Sequence, residues 1–215
     1  MNEQSDQTEF NNPDNQITLG ITGASGAIYG ITLLSHLVKY YQQVHVMITD
    51  AARVVLATEM NINLPEAPVK IEAKLSEICQ ATKDQIKVYA KENWFSVVAS
   101  GSSAPKQMVV CPASMGCVSS IATGASNTLM ERAADVVLKE KGQLILVPRE
   151  MPFSHIHLKN MLSLTESGAT IMPAAPGFYH QPESIEDLIN FVCGRVLNHL
   201  GIKDNLVECW GYKSS

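Results

Sequence analysis

The stretch from Ile17 to Gly30, ITLGITGASGAIYG, limits the fold more than any other part of the chain. Ile17, Leu19 and Ile21 form a short apolar run, and Gly23, Ala24, Ser25 and Gly26 follow as a turn of small residues. From Ala27 to Tyr40 the spacing becomes helical, with Ile28, Ile31, Leu34, Leu37 and Val38 as the apolar face. Strand, tight turn and helix in that order are a building unit of an α/β fold. The turn offers free backbone N–H groups and a helix N-terminus, a place suited to a phosphate. Glycines let the backbone approach a ligand closely, and Ser25 adds a hydroxyl donor.

The glycines Gly20, Gly23 and Gly26 read GxxGxxG, so the GxGxxG dinucleotide fingerprint is absent. No Lys-Ser/Thr pair follows, which excludes a Walker loop. The loop is similar to the TGxxxGxG turn of short-chain dehydrogenases. However, Ala27 and Tyr29 stand where glycines belong, and no Tyr-x-x-x-Lys pair lies downstream. Asp50, closing the next strand, is placed to hold a ribose and leaves a nicotinamide cofactor open.

The 215 residues suit one α/β domain with a real core. A 46% hydrophobic and 17% charged composition leaves a rather apolar surface, as burial in an oligomer requires. A net charge of −5 argues against general nucleic-acid binding. The odd set Cys79, Cys111, Cys117, Cys193 and Cys209 has no CxxC spacing, so it reads as reduced cytoplasmic thiols, not a disulfide frame or zinc site. No apolar run reaches membrane-spanning length, and the polar N-terminus does not resemble a signal peptide. Residues 1–15 are expected to be a disordered arm, 16–202 a single domain, and 203–215 a tail in which Trp210 is a docking anchor.

Along the domain, Val44 to Thr49 reads as a second strand, with His45 packed within it. Asp50 to Met60 reads as a helix whose Glu59 matters only if that helix end faces the glycine loop. A short helix over Ile71–Cys79 and a strand over Ile86–Tyr89 follow. Asn93 to Ala104 turns into SGSS, a loop composition found beside ligands, and Trp94 there could cover a planar ring. Met108 to Cys111 is a buried strand ended by Pro112, and Ala113 to Cys117 is a second small-residue turn with Ser114 as an N-cap. Thr123 to Lys139 is expected to be one helix, with Arg132 and Lys139 on one face.

Leu144 to Val147 is a strand ending at Pro148-Arg149-Glu150-Met151-Pro152. The prolines hold the direction of the Arg-Glu pair, and Arg149 offers a planar fork for a phosphate. His155 and His157 face different sides of a helix and make a metal site unfavourable. Ala169 to Met172 is the last strand, followed by a Pro/Gly loop carrying Phe178 and Tyr179. Ser184 to Leu200 is a terminal amphipathic helix bearing Arg195. Two small-residue turns after two buried strands put both at one carboxyl edge of a parallel sheet, where open α/β sheets bind ligands. The expected architecture is therefore three-layer α/β: an open, mainly parallel sheet with helices on both faces, Rossmann-like or flavodoxin-like.

Taken together, TGASGAIYG, CPASMG, NTLMERAADVVLKE, LVPREMPFSHIHLKNMLSL and MPAAPGFYHQPESIEDLINFVCGRVL resemble the UbiX-like flavin prenyltransferases, from about Ile17 to about Ile202. The resemblance implies FMN as cofactor, with no metal. The reaction attaches a dimethylallyl group from its monophosphate to N5 of reduced FMN and closes a fourth ring at C6. The product serves a partner UbiD-type decarboxylase, in ubiquinone biosynthesis or related aromatic acid decarboxylation. It also implies a homo-oligomer, a dodecamer by family pattern, with flavin sites at subunit contacts.

Carried over by position, Gly23, Ala24 and Ser25 match the flavin glycine loop and Thr49 the hydroxyl residue after the second strand. Ser114, Met115, Gly116 and Cys117 match the second flavin loop, with Cys117 standing where threonine is expected. Arg149 matches the flavin-contacting arginine. Tyr179 and Arg195 match the residues holding the dimethylallyl phosphate, helped by Lys139 and Glu150. Glu59, Arg132 and Trp94 also fall at active-site positions of the family. Ser25, Glu59, Lys139 and Glu150 are the expected catalytic set. The absence of a DDxxD motif favours a basic-residue phosphate site over a magnesium site. Three rivals stand beside this reading. One is a related FMN-dependent cysteine-type decarboxylase, whose PASANT motif is only partly matched by CPASMG; the others are a non-catalytic flavin-binding regulatory subunit and a nicotinamide dehydrogenase.

Overall fold

Strand β1 (Gln16–Ile21) is buried at all six positions, as a central parallel strand must be. The computed structural model describes residues 15–203 and 206. The expected arm before Asn15 and most of the expected tail, with Cys209 and Trp210, lie outside the described residues. After β1 come α1 (Ala27–Tyr40), β2 (Gln43–Ile48), α2 (Asp50–Met60), α3 (Pro68–Cys79) and β3 (Ile86–Tyr89). A single 3₁₀ turn (Val97–Ala99) precedes β4 (Gln107–Ala113), α4 (Met115–Ala122) and α5 (Leu129–Lys139). The chain then forms β5 (Gln143–Pro148), α6 (His155–Glu166), β6 (Thr170–Ile171) and α7 (Ile185–His199).

The six strands form one sheet in the order β3-β2-β1-β4-β5-β6, and every pairing in it is parallel. The order reverses direction between β1 and β4, which opens a crevice at their carboxyl ends. Ile17, Leu19 and Ile21 pack with Leu33, Leu34 and Leu37 of α1, Leu56 of α2, Leu75 of α3 and Val196 of α7 on one face. On the other face Met108, Val110, Leu144 and Leu146 pack with Val118 of α4, Ala134 of α5 and Leu164 of α6. The expected three layers are present.

Several local expectations are corrected. In α1, Leu33 is fully buried whereas Ile28 is 37% exposed, so the packed stripe is rotated towards Leu33. A Cβ at Gly30 would stand 2.5 Å from the Cys111 carbonyl oxygen, so this glycine lets α1 lie directly on β4. Strand β4 runs through Pro112 to Ala113; its register shifts between Val110 and Ala113, where the missing proline N–H is tolerated. The helix expected over Thr123–Lys139 is two helices. Gly124 takes a left-handed φ of +70°, and Thr128 with Glu131 closes a capping box that starts α5 anew. β6 is shorter than expected, and α3 begins at Pro68, a favoured first helical residue.

His45 is packed, 2% exposed. Its Nε2–H donates to Gln16 Oε1 at 2.6 Å, and Nδ1 accepts the Tyr89 hydroxyl at 2.9 Å. Burial, helped by the Lys87 charge, lowers its pKa to about 4. Between that value and the ordinary 6.5 the unfolded chain binds a proton that the folded chain refuses. Stability is therefore expected to fall as pH drops through this window, by about 3 kcal/mol when complete. Urea melts at neutral pH and near pH 4.5 should show this loss, and a His45→Gln variant should lose that part of the slope.

Candidate functional site

The glycine turn after β1 and the Ser114 turn after β4 flank the crevice, and the space beside them is a cavity of about 660 Å³. That volume lies within the roughly 300–1,000 Å³ typical of small-molecule sites. Gly23, Thr49, Ser114, Gly116 and Cys117 line it, which brings together five of the residues expected to hold a flavin. Met47, Tyr89, Leu129 and Met130 supply apolar wall that sequence reasoning missed. The signal was available, since Met47 and Tyr89 are register partners on adjacent strands and so share a face.

These residues fit a flat aromatic ring system with polar edges. A Cβ on Gly116 would meet nothing within 4 Å, so the wall there is open space. Thr49 caps α2, its Oγ1 accepting from the Ala52 amide at 3.1 Å, and Ser114 caps α4, its Oγ accepting from the Cys117 amide at 3.4 Å. Each hydroxyl spends an oxygen lone pair on its helix and keeps its hydrogen for a ligand. Met115 to Cys117 form the first turn of α4 and not a loop. Met115 is 7% exposed and is absent from the cavity lining. Ala24 is likewise buried at 7%, so its contribution is the backbone of the turn.

The end of α2 does face the glycine loop. Glu59 Oε2 accepts the amides of Gly26 at 2.8 Å and Ala27 at 3.0 Å. This corrects the expectation that the start of α1 is a phosphate site, because a carboxylate already takes those two N–H groups. Burial pushes the Glu59 carboxyl up, but the Ser25 hydroxyl, the two amides and the Arg149 charge together outweigh it. The net result is below the ordinary glutamate value, so Glu59 is ionised at neutral pH. Arg149 donates from Nε to the Ser25 carbonyl at 3.0 Å, which ties the Pro148–Pro152 segment to the same loop. Ser25, Glu59 and Arg149 thus form one connected group.

The remaining expected residues stand apart from it within the chain. Arg132 pairs with Asp135 at 2.9 Å and Lys139 with Glu140, and neither lines the cavity. Lys139 Nζ lies 2.8 Å from where a Cβ on Gly101 would sit, so the SGSS loop rests against it. Trp94 is 41% exposed and also outside the cavity lining. The Glu150 carboxylate accepts the Met151 amide at 3.1 Å. Arg195 lines a separate hollow of about 170 Å³ with Phe191 and Pro173. Tyr179 meets Phe191 edge-on at 5.5 Å, and the His180 ring stacks on Phe191 at 5.0 Å. One chain therefore carries the turns expected to hold a flavin in one place and most of the residues expected to hold a phosphate elsewhere.

The Flavoprotein family model matches residues 5–197, most of the chain. A flavin prenyltransferase UbiX from Pseudomonas aeruginosa is 55% identical over 196 residues, 91% of this chain and 94% of the relative. The chain belongs to this flavoprotein family. Its place within the family is with the UbiX-like flavin prenyltransferases. A crystal structure of AnUbiX in complex with FMN and dimethylallyl pyrophosphate superposes with a TM-score of 0.80 at 33% identity, covering 92% of this chain and 97% of the other. A dodecameric FMN-dependent UbiX-like decarboxylase from Escherichia coli O157:H7 matches equally well, with a TM-score of 0.80 at 32% identity over 92% of this chain and 100% of the other.

Cys117, at the position where the resemblance leads to threonine, lines the cavity. Burial pushes its thiol up to about 12, with the Glu131 charge adding to the effect, so the sulfur is neutral and a weak donor. Its Sγ rests 3.8 Å from Met130 Sδ. Cys117→Thr would restore a hydroxyl at the cavity wall. One added hydrogen bond of about 1 kcal/mol predicts FMN binding roughly fivefold tighter. Fluorescence titration of the apoprotein with FMN measures this.

Proposed function

We propose that the chain transfers the dimethylallyl group of dimethylallyl phosphate to N5 and C6 of reduced FMN, and that a UbiD-type decarboxylase receives the product. Bound reduced FMN supplies the two nucleophilic atoms. The Gly23–Ser25 turn, Thr49, the Ser114–Cys117 turn and Arg149 hold it, with Trp94 and Arg132 at its margin. Tyr179, Arg195 and Lys139 hold the phosphate of the donor. The allylic C–O bond breaks with its electron pair going to the phosphate, and these donors stabilise the anion that leaves. Glu150 protonates the departing phosphate. Glu150 recovers its proton from N5 as that atom bonds the allyl carbon. The phosphate returns its own to the allyl double bond as the ring closes, and Glu59, ionised and fixed beside Ser25, would accept the proton released at C6. The apolar walls keep water away from the allyl cation, and Trp94 flanks it by cation–π attraction.

The observation that carries this reading is Glu59. An ionised carboxylate is anchored on the glycine loop itself, bonded to Ser25 and facing Arg149. Its structural part, capping the start of α1, would serve any flavin-binding subunit, and its ionised state is what a proton acceptor adds. The cysteine-decarboxylase reading is weaker, since Met115 and Gly116 replace the Ala and Asn of its motif.

Because the cations are scattered in one chain, the working form is a homo-oligomer in which neighbouring subunits complete each site. Apolar side chains such as Ile156, Leu158 and Leu162 of α6, 53–66% exposed, supply surface for such contacts. Neither nucleic acid nor membrane is a partner in this reading. No helix among the described residues is long and apolar enough to cross a membrane. Among the described residues no group of three His, Cys, Asp or Glu is gathered to hold a metal, and the proposed reaction calls for none. The free thiols of Cys79, Cys111, Cys117 and Cys193 suit a reducing, cytoplasmic setting.

The test is anaerobic incubation of the full chain with reduced FMN and dimethylallyl phosphate, with chelator present. A new flavin absorption spectrum with stoichiometric release of phosphate is expected. Unchanged flavin with no phosphate released would overturn the reading.

A further inference from the structure

We infer that Thr22 is a positioning residue that sets the separation of the two flavin loops, an inference resting on the FMN binding proposed above. Thr22 immediately precedes Gly23 and is fully buried. Its hydroxyl donates to the Pro112 carbonyl at 2.7 Å and accepts the Ser114 amide at 2.7 Å. The hydroxyl reaches residues 90 and 92 positions away and joins opposite walls of the crevice.

The need for the clamp follows from the sheet. Pairing of β1 with β4 runs from Thr18↔Met108 to Gly20↔Val110 and stops there. Beyond it Pro112 has no N–H to give, and the Ser114 N–H, at an N-cap position, has no partner within α4. The backbone alone supplies only a long contact, Thr22 N–H to the Pro112 carbonyl at 3.3 Å. The hydroxyl, a donor and an acceptor on one atom, gives the Ser114 N–H its partner and the Pro112 carbonyl a second, shorter bond. The neighbouring Ile21 carbonyl accepts the Thr49 amide at 3.1 Å, so the same strand end also places the third flavin-facing hydroxyl. Ile21–Thr22 is thus a hub from which Thr49, Ser114 and the glycine turn are held in fixed relation.

Thr22→Val keeps the shape and removes both hydrogen bonds, leaving the partly buried Ser114 amide unpaired. FMN binding to the apoprotein should weaken about tenfold or more, while Thr22→Ser, which keeps the hydroxyl, should stay within about twofold of the parent. The visible circular dichroism of bound FMN should change in the valine variant and not in the serine variant. In the parent apoprotein, the Ser114 amide should exchange hydrogen as slowly as the buried amides of β4, a readout that needs no variant to fold. A valine variant with parental affinity and spectrum, or a fast-exchanging Ser114 amide, would overturn the inference. A parent that fails to bind FMN would instead sink the proposed function, and a parent that binds FMN without transferring a prenyl group would leave Thr22 in its role.

Discussion

Glu59→Gln is expected to slow prenyl transfer by about 100- to 10,000-fold, the usual contribution of a positioned acid–base group. Its effect on fold and FMN affinity should be small. The carboxamide oxygen of glutamine still accepts the Gly26 and Ala27 amides, so the start of α1 stays capped. What is lost is the capacity to take a proton. The same geometry sets the pH dependence. Burial alone would raise the Glu59 carboxyl, yet Ser25, the two amides and Arg149 hold it below the ordinary 4.5. A depressed carboxyl is ionised above that range and loses its charge only as pH falls through the lower value. The acid limb of the parent's rate should therefore lie below pH 4.5, if the assembled protein survives there. Stopped-flow absorbance of the flavin under anaerobic conditions, on parent and variant, measures both. Parental rates in Glu59→Gln would remove Glu59 from the chemistry.

Gly23→Ala is the second large effect. A Cβ at residue 23 would stand 2.4 Å from the Ala51 Cβ and 3.2 Å from the Ala51 carbonyl carbon, well inside contact distance. The turn and the start of α2 have to separate, and both carry cavity-lining groups, Gly23 on one side and Thr49 on the other. Overpacking of this kind costs about 1–3 kcal/mol. Where the strain relaxes by moving the turn, FMN affinity falls about 10- to 100-fold. The double variant Gly23→Ala/Ala51→Gly removes the clashing methyl and should recover most of the binding. It should still melt lower than the parent, since glycine in a helix costs up to about 1 kcal/mol. A double variant no better than the single one would mean that the two residues do not act through this contact.

The parts of the fold written in local signals were legible. Ala27–Tyr40 and Asp50–Met60 end where their periodicity ends, and Ser114 and Ser184 announce helix starts through their own side chains. What failed was decided by tertiary context. Ile28 has helical spacing suited to the core, but α1 is turned by the close approach of Gly30 to β4. The break before α5 was written in Thr128 and Glu131, a capping box overlooked in favour of an unbroken pattern. Pro112 was read as a stop because proline removes a ladder hydrogen bond, yet the loss falls where the β4 register slips.

The site divides the same way. Gly23, Ser25 and Ser114 were recognisable because turn chemistry and capping put them at strand ends, whereas Thr49 was reached only through the family resemblance. Glu59 was conditional, since only the packing of α2 brings its end to the glycine turn. Thr22 was missed, although a hydroxyl residue between an apolar strand and a glycine is a signal of its own. No local pattern could have paired it with residues 90 positions on.

In the proposed reaction, residues separated within one chain converge on one phosphate in the assembled protein. A crystal of the oligomer soaked anaerobically with reduced FMN and dimethylallyl phosphate tests it most directly. The flavin ring is expected between the Gly23–Ser25 and Ser114–Cys117 turns, with the donor phosphate beside Ser25 and bonded to Tyr179, Arg195 and Lys139 drawn from more than one subunit. Tyr179 and Arg195 lying away from Ser25 at every subunit contact would contradict it.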